Sequence, residues 1–271
     1  PMRGAVRVTA SMRSPRSSHP NGSGIVGAAA GRARTRPSGA SARRSDPSES
    51  SALFHVKHPI PDADRVRALT LVPVSAEAEK RLAIYVDLLG RWRSVTNLIS
   101  AASFAEVWTR HIADSAQLLP LAPKAKRWVD LGSGAGFPGM VIAILLAEVA
   151  GARVDCIDSD RRKCAFLREV AGATGAPAEI HAERVEAIPP ESLLPVDAVV
   201  ARAFAPLPRL VELANVWIMH GAVGVFPRGR SAETQLEAFP AAPDLTIDII
   251  ASKLDPEAAI LRARSRLKAR S

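Results

Sequence analysis

The stretch Val129-Asp130-Leu131-Gly132-Ser133-Gly134-Ala135-Gly136 decides how this chain is read. Residues 127–131 form an apolar strand that carries an acid near its end. Glycine then recurs at every second position, and residues 140–149 follow as a buried helix. Strand, glycine-rich turn and helix in that order open a doubly wound α/β sheet, in which ligands bind outside the carboxyl ends of the strands. Glycine there permits dihedrals closed to other residues and lets a ligand approach the main chain.

Two cofactor classes use such a turn. A dinucleotide site wants G-x-G-x-x-G, whose third glycine lets helix pack closely on strand. That third position is Phe137, too large for the role. The spacing G-x-G-x-G behind a strand-terminal acid resembles instead the S-adenosylmethionine site of Rossmann-like methyltransferases. That cofactor carries an ammonium and a sulfonium and no pyrophosphate, so Asp130 is electrostatically suited to lie beside it. Asp158, 22 residues beyond Gly136 at the end of the second strand, is placed to accept ribose hydroxyls. Both nucleoside cofactors carry such hydroxyls, so Asp158 does not separate them. A tight turn that holds no ligand is the competing reading of the glycines alone.

Further strands are expected at 153–158, 179–182, 198–201 and 222–226, and helices at 161–173, 207–217 and 232–239. Residues 245–251 and 258–263 read as a closing antiparallel pair. Strands alternating with helices imply a parallel sheet covered on both faces. Upstream, Ser75 followed by Glu77 and Glu79 reads as a helix N-cap with acids in the first turn. Leu82, Tyr85, Val86, Leu89 and Trp92 then recur at helical spacing. With a second helix expected over 103–119, residues 75–125 form a helical cap ahead of the main domain at 126–265.

The 271 residues are 47% apolar, enough for a core, and no uncharged apolar run reaches the length of a membrane span. The net charge of +9 points to nucleic acid until it is located. Residues 1–50 carry +7 and residues 261–271 carry +5, which leaves −3 for 51–260. The basicity sits at the ends, so the overall charge is weak evidence that the folded middle binds a polyanion. With 10 Ser, 6 Gly and 5 Pro and no aromatic residue, 1–50 reads as a disordered basic leader, 51–74 as a linker and 266–271 as a basic tail. A transit peptide, an upstream extension without function and an RNA-attracting arm are all open for the leader. Cys156 and Cys164 lack the neighbours of a zinc or haem motif, so no metal and a reducing, cytoplasmic compartment are expected.

Several stretches together resemble one family, the glucose-inhibited division protein B family of bacterial methyltransferases that modify guanine N7 in small-subunit ribosomal RNA. They are Trp92 with Asn97-Leu98, Arg110-His111-Ile112 with Asp114-Ser115, and the run from Asp130 through Phe137-Pro138-Gly139. Asp158-Ser159 with Arg162-Lys163 and Phe166-Leu167, then Arg184-Val185-Glu186, then Ala201-Arg202-Ala203-Phe204-Ala205 complete the set. The resemblance covers residues 75–265. Two positions depart from the family pattern: Ile99 stands where a threonine is common, and Arg228-Gly229 where Lys-Gly is usual.

The resemblance implies a Rossmann-like class I methyltransferase, a mostly parallel seven-stranded sheet with helices on both faces and an N-terminal helical cap. It implies S-adenosylmethionine as cofactor, with Gly132 and Phe137 contacting it at the turn beside Asp130, Gly134 and Asp158. Val185 and Glu186 would flank the adenine, and Arg202 would lie where cofactor and guanine meet. The competing readings are a core residue for Val185, a solvated one for Glu186, and a salt bridge to a nearby carboxylate for Arg202. The expected partner is 16S ribosomal RNA or the small ribosomal subunit, with no membrane and a monomeric enzyme. The alternative keeps the fold and methylates a small molecule or protein. Guanine N7 carries a free lone pair and no proton, so no catalytic base is expected and Arg110, His111 and Asp114 read as a structural or RNA-facing cluster.

Overall fold

In the computed structural model, residues 62–229 and 244–267 are described. The leader, the helix expected at 232–239 and the last tail residues lie outside them. The strands are β1 (Arg127–Leu131), β2 (Arg153–Ile157), β3 (Ala178–His181), β4 (Ala198–Val200), β5 (Val223–Arg228), β6 (Leu245–Ala251) and β7 (Ala259–Ser265). They form one seven-stranded sheet in the order β3-β2-β1-β4-β5-β7-β6. The first five pair in parallel, and β7 enters antiparallel between β5 and β6. Strand order reverses between β1 and β4, which puts the switch point of the doubly wound sheet at the end of β1.

The parallel strands are apolar on both sides because helices cover both faces. Val129, Leu131, Ile157 and Val199 pack under α7 (Leu207–Met219), whose Leu210, Ala214, Trp217 and Ile218 are buried. Trp128, Val154, Cys156 and Val200 face α5 (Gly139–Leu145) and α6 (Arg161–Thr174). Asp160 caps α6 by accepting from the amides of Arg162 and Lys163. The helix expected over 140–149 ends at Leu145, four residues early.

The cap shares that second core. Ser75 accepts from Ala78 N and starts α2 (Ala76–Trp92), and Leu82, Tyr85, Val86 and Leu89 are buried at the expected spacing. Two expectations need correction here. Within 51–74, read as linker, Asp62–Leu71 is a helix, α1. It is anchored by Asp64, whose carboxylate accepts from the amides of Trp108 (2.9 Å) and Thr109 (3.3 Å), and by buried Ala68 beside it. The single helix over 103–119 is instead three pieces: α3 (Ala101–Ala105), a wide π-helical turn (Trp108–Ala113) and α4 (Asp114–Ala116). Such wide turns are inserted where side chains must be aimed off the regular helical path. This one carries Arg110 and His111 to the edge of the sheet.

Candidate cofactor and substrate site

The turn after β1 takes three left-handed glycines, Gly132 (φ 71°), Gly134 (φ 58°) and Gly136 (φ 99°). Ser133 N donates to Ile157 O (2.9 Å), tying the turn to the end of β2. Asp158, just past β2, accepts from Gly134 N (2.8 Å) through one oxygen and from Asp160 N (2.8 Å) through the other. The acid expected at a ribose therefore also shapes the glycine turn. Tyr85 of α2 donates its hydroxyl to Ala135 O (2.5 Å), so the cap grips the turn from above.

Three sides of the turn differ. At Gly136 a Cβ would meet Tyr85 Oη (2.7 Å), Met140 Cβ (2.8 Å) and Leu167 Cδ2 (2.9 Å), so this glycine serves packing. At Gly132 a Cβ would strike the ring of Phe204, which lies against the turn from the segment after β4. At Gly134 only Gly132 O (3.9 Å) comes within 4 Å, and the turn is open there.

Asp130 is fully buried beneath this turn. Its Oδ2 accepts from Gly139 N (3.0 Å), while Oδ1 is closed to water and meets no donor among the described residues, the nearby Ser133 hydroxyl donating to the Asp130 main-chain carbonyl (3.2 Å). Burial pushes its carboxyl up to about 6, against the partial relief of its hydrogen bonds. Orphaned buried acceptors are rare because each forfeits its hydration.

Arg202, just past β4, is held by the cap. It donates to Asp114 Oδ2 (3.3 Å), to Arg110 O (3.3 Å) and to His111 Nδ1 (2.9 Å). Its guanidinium lies 5.2 Å from the centre of the Phe137 ring, on which His111 also stacks at 4.7 Å. An arginine can only donate, so His111 Nδ1 is the bare nitrogen and Nε2 carries the proton. That Nε2 is buried and has no partner among the described residues. Burial and the two arginines lower the His111 pKa to about 3, so the ring stays neutral.

Asp130, Gly132, Gly134, Phe137, Asp158 and Arg202 thus meet at the carboxyl ends of β1, β2 and β4. The salt bridge considered for Arg202 is present, to Asp114. Val185 buries its side chain in the core with Leu131 and Ile157, so only its main chain is free to face a ligand. Glu186 is exposed and paired with Arg209 of α7 (2.9 Å). Tyr85, Phe204 and the His111 contact to Arg202 went unread in the sequence as parts of this site. Tyr85→Phe is expected to cost about 1–2 kcal/mol through the lost bond to Ala135. That corresponds to a fall of roughly 3–6 °C in unfolding midpoint, measured by thermal denaturation.

The strand order, the glycine turn and the buried acid beneath it define a Rossmann-like methyltransferase. A family model described as rRNA small subunit methyltransferase G (GidB) matches residues 78–251. The chain is 45% identical over 201 residues to the ribosomal RNA small subunit methyltransferase G of Methylorubrum populi, covering 74% of this chain and 95% of that one. It is 45% identical over 204 residues to the protein of the same name in Methylobacterium sp. strain 4-46, covering 75% and 96%. The crystal structure of cofactor-bound Rv0187 from MTB shares the fold, with a TM-score of 0.52 at 18% identity over 77% of this chain and 98% of that one. The chain belongs to the rRNA small subunit methyltransferase G family, a family of S-adenosylmethionine-dependent methyltransferases. Among the described residues no helix is long and apolar enough to cross a membrane.

Proposed function

We propose that this chain methylates N7 of a guanine in 16S ribosomal RNA, with its cofactor seated on the open side of the Gly134 turn. The observation that carries the cofactor's place is the unpartnered Oδ1 of Asp130 beneath that turn. A buried carboxylate with one oxygen left without a donor suits the ammonium of an amino-acid-bearing nucleoside, and family membership supplies the RNA substrate. Gly132, Phe137, Val185 and Glu186 are proposed as further contacts, and Asp158 as the ribose acceptor through its remaining lone pairs. S-adenosylmethionine supplies an electrophilic methyl group when bound.

The chain's own residues then have to align and shield, since guanine N7 attacks with a lone pair and surrenders no proton. Neutral His111 positions Arg202 and takes no proton. Arg202 and Phe137 form a cationic and apolar wall at the edge of the turn. The N7 edge is inaccessible inside an A-form helix, so the substrate guanine must lie in an exposed loop or an incompletely assembled particle.

With no base in the reaction, kcat/KM should rise with pH through the carboxyl of Asp130, near 6, and stay flat above it. The direct test is labelled-methyl transfer to small subunits that lack the modification. Transfer to free nucleosides or protein but not to this RNA would overturn the substrate.

A further inference from the structure

We propose that the Nε–Nη2 edge of Arg228 receives a phosphodiester of the RNA substrate, an assignment that rests on the RNA-directed reading above. Arg228 ends β5, the strand next to β4, and it lines with Arg202 a cleft of about 360 Å³. Its Nη1 donates to Ala205 O (3.2 Å), which fixes the plane of the guanidinium. Its Nε and Nη2, the edge that grips paired oxygens, are buried and meet no acceptor among the described residues.

Three other partly buried arginines reach a carboxylate: Arg153 pairs with Asp155, Arg202 with Asp114 and Arg262 with Asp248. Among the described residues Arg228 has none, although two acids share its cleft. Asp114 is taken by Arg202 and Gln117, and Asp255 accepts from the amide of Glu257. Burial, unrelieved by any acid, lowers the Arg228 pKa. A partly buried cation without a counter-charge is expensive, and a bound anion would remove that cost.

Two RNA groups match a guanidinium edge. The O6/N7 edge of guanine is one, but a bond there would occupy the lone pair that the reaction uses. A phosphodiester offers two equivalent oxygens and the missing negative charge. The edge is closed to water in this state, so a phosphate reaches it when the adjoining wall of Ala203, Phe204, Ala205 and Pro206 shifts.

The test is binding of a labelled small-subunit RNA fragment to adenosylhomocysteine-loaded protein, followed by fluorescence anisotropy over a series of KCl concentrations. Arg228→Gln should weaken binding about tenfold and reduce the log–log salt slope by about 0.7–0.9, one phosphate contact. Arg228→Lys should keep the slope and recover only part of the affinity, because an ammonium lacks the fork. Adenosylhomocysteine affinity, by calorimetry, should stay within about twofold, because the edge is assigned to RNA. Arg228→Met should unfold no earlier than the wild type, since it removes an uncompensated charge.

An unchanged slope in Arg228→Gln, a lost adenosylhomocysteine affinity or an early-unfolding Arg228→Met would each overturn the assignment. Wild-type protein that shows the expected slopes but transfers no methyl group to unmodified subunits leaves the phosphate site standing and overturns the proposed reaction. Wild-type protein that binds no RNA overturns both.

Discussion

Gly134→Ala is expected to weaken adenosylhomocysteine binding by roughly 100-fold, the effect of about 3 kcal/mol from a methyl group intruding on a close backbone contact. Its unfolding midpoint should fall by only a few degrees. The alanine meets no protein atom nearer than Gly132 O at 3.9 Å, and its cost to the fold is the left-handed backbone at φ 58°. That cost is about 1–2 kcal/mol. Gly136→Ala should behave in the opposite way. Its Cβ would lie within 3 Å of Tyr85 Oη, Met140 Cβ and Leu167 Cδ2, so helix and cap must part to admit it. We expect destabilisation of about 3 kcal/mol or more, from overpacking added to the backbone strain. Calorimetry and thermal denaturation on the two variants separate ligand cradle from packing contact. Normal binding by a folded Gly134→Ala protein would move the cofactor elsewhere.

Asp130→Asn is expected to stabilise the cofactor-free protein at neutral pH and to cost about 100-fold in cofactor affinity. The sign follows from the raised pKa. Folding carries the carboxyl from its ordinary value near 3.9 to about 6, so the folded state holds the proton more tightly. Stability is then full below the ordinary value and is lost as pH rises through about 6. Above that the ionised, half-satisfied carboxylate costs at most about 3 kcal/mol. The amide avoids that penalty, and the apparent midpoint should rise by several degrees at pH 7.5, about 2–4 °C per kcal/mol. It also removes the charge proposed to face the ammonium, a pairing worth about 2–5 kcal/mol when desolvated. Wild-type affinity should drop about tenfold per pH unit below 6 and the variant's should not. A pH-independent wild-type affinity would remove Asp130 from the cofactor's contacts.

Much of this fold is legible because its signals are local. β1 at 127–131 is a short apolar run stopped by glycine, and the closing pair at 245–251 and 259–265 lacks any helix between its strands. The α1 helix was missed because half of Asp62–Leu71 is polar or charged and, among its described side chains, only Ala68 is buried. Its anchor is Asp64 reaching residues 108 and 109, a contact that exists only after folding. The π-helical turn escaped for the same reason, since its register is set by packing and not by spacing. At the site, the glycines and acids announce themselves by type and interval. The Tyr85 hydroxyl on Ala135, the Phe204 ring on Gly132 and the His111 nitrogen under Arg202 join residues far apart in the chain. No interval in the sequence encodes such meetings.

The Tyr85 hydroxyl has an implication for anyone building chimeras from this scaffold. Exchanging residues 62–125 for another enzyme's helical cap would be no simple graft, because the donor segment must bring a hydroxyl of its own to the Ala135 carbonyl and leave room above Gly136. Cofactor affinity is therefore the first property to assay in such a hybrid.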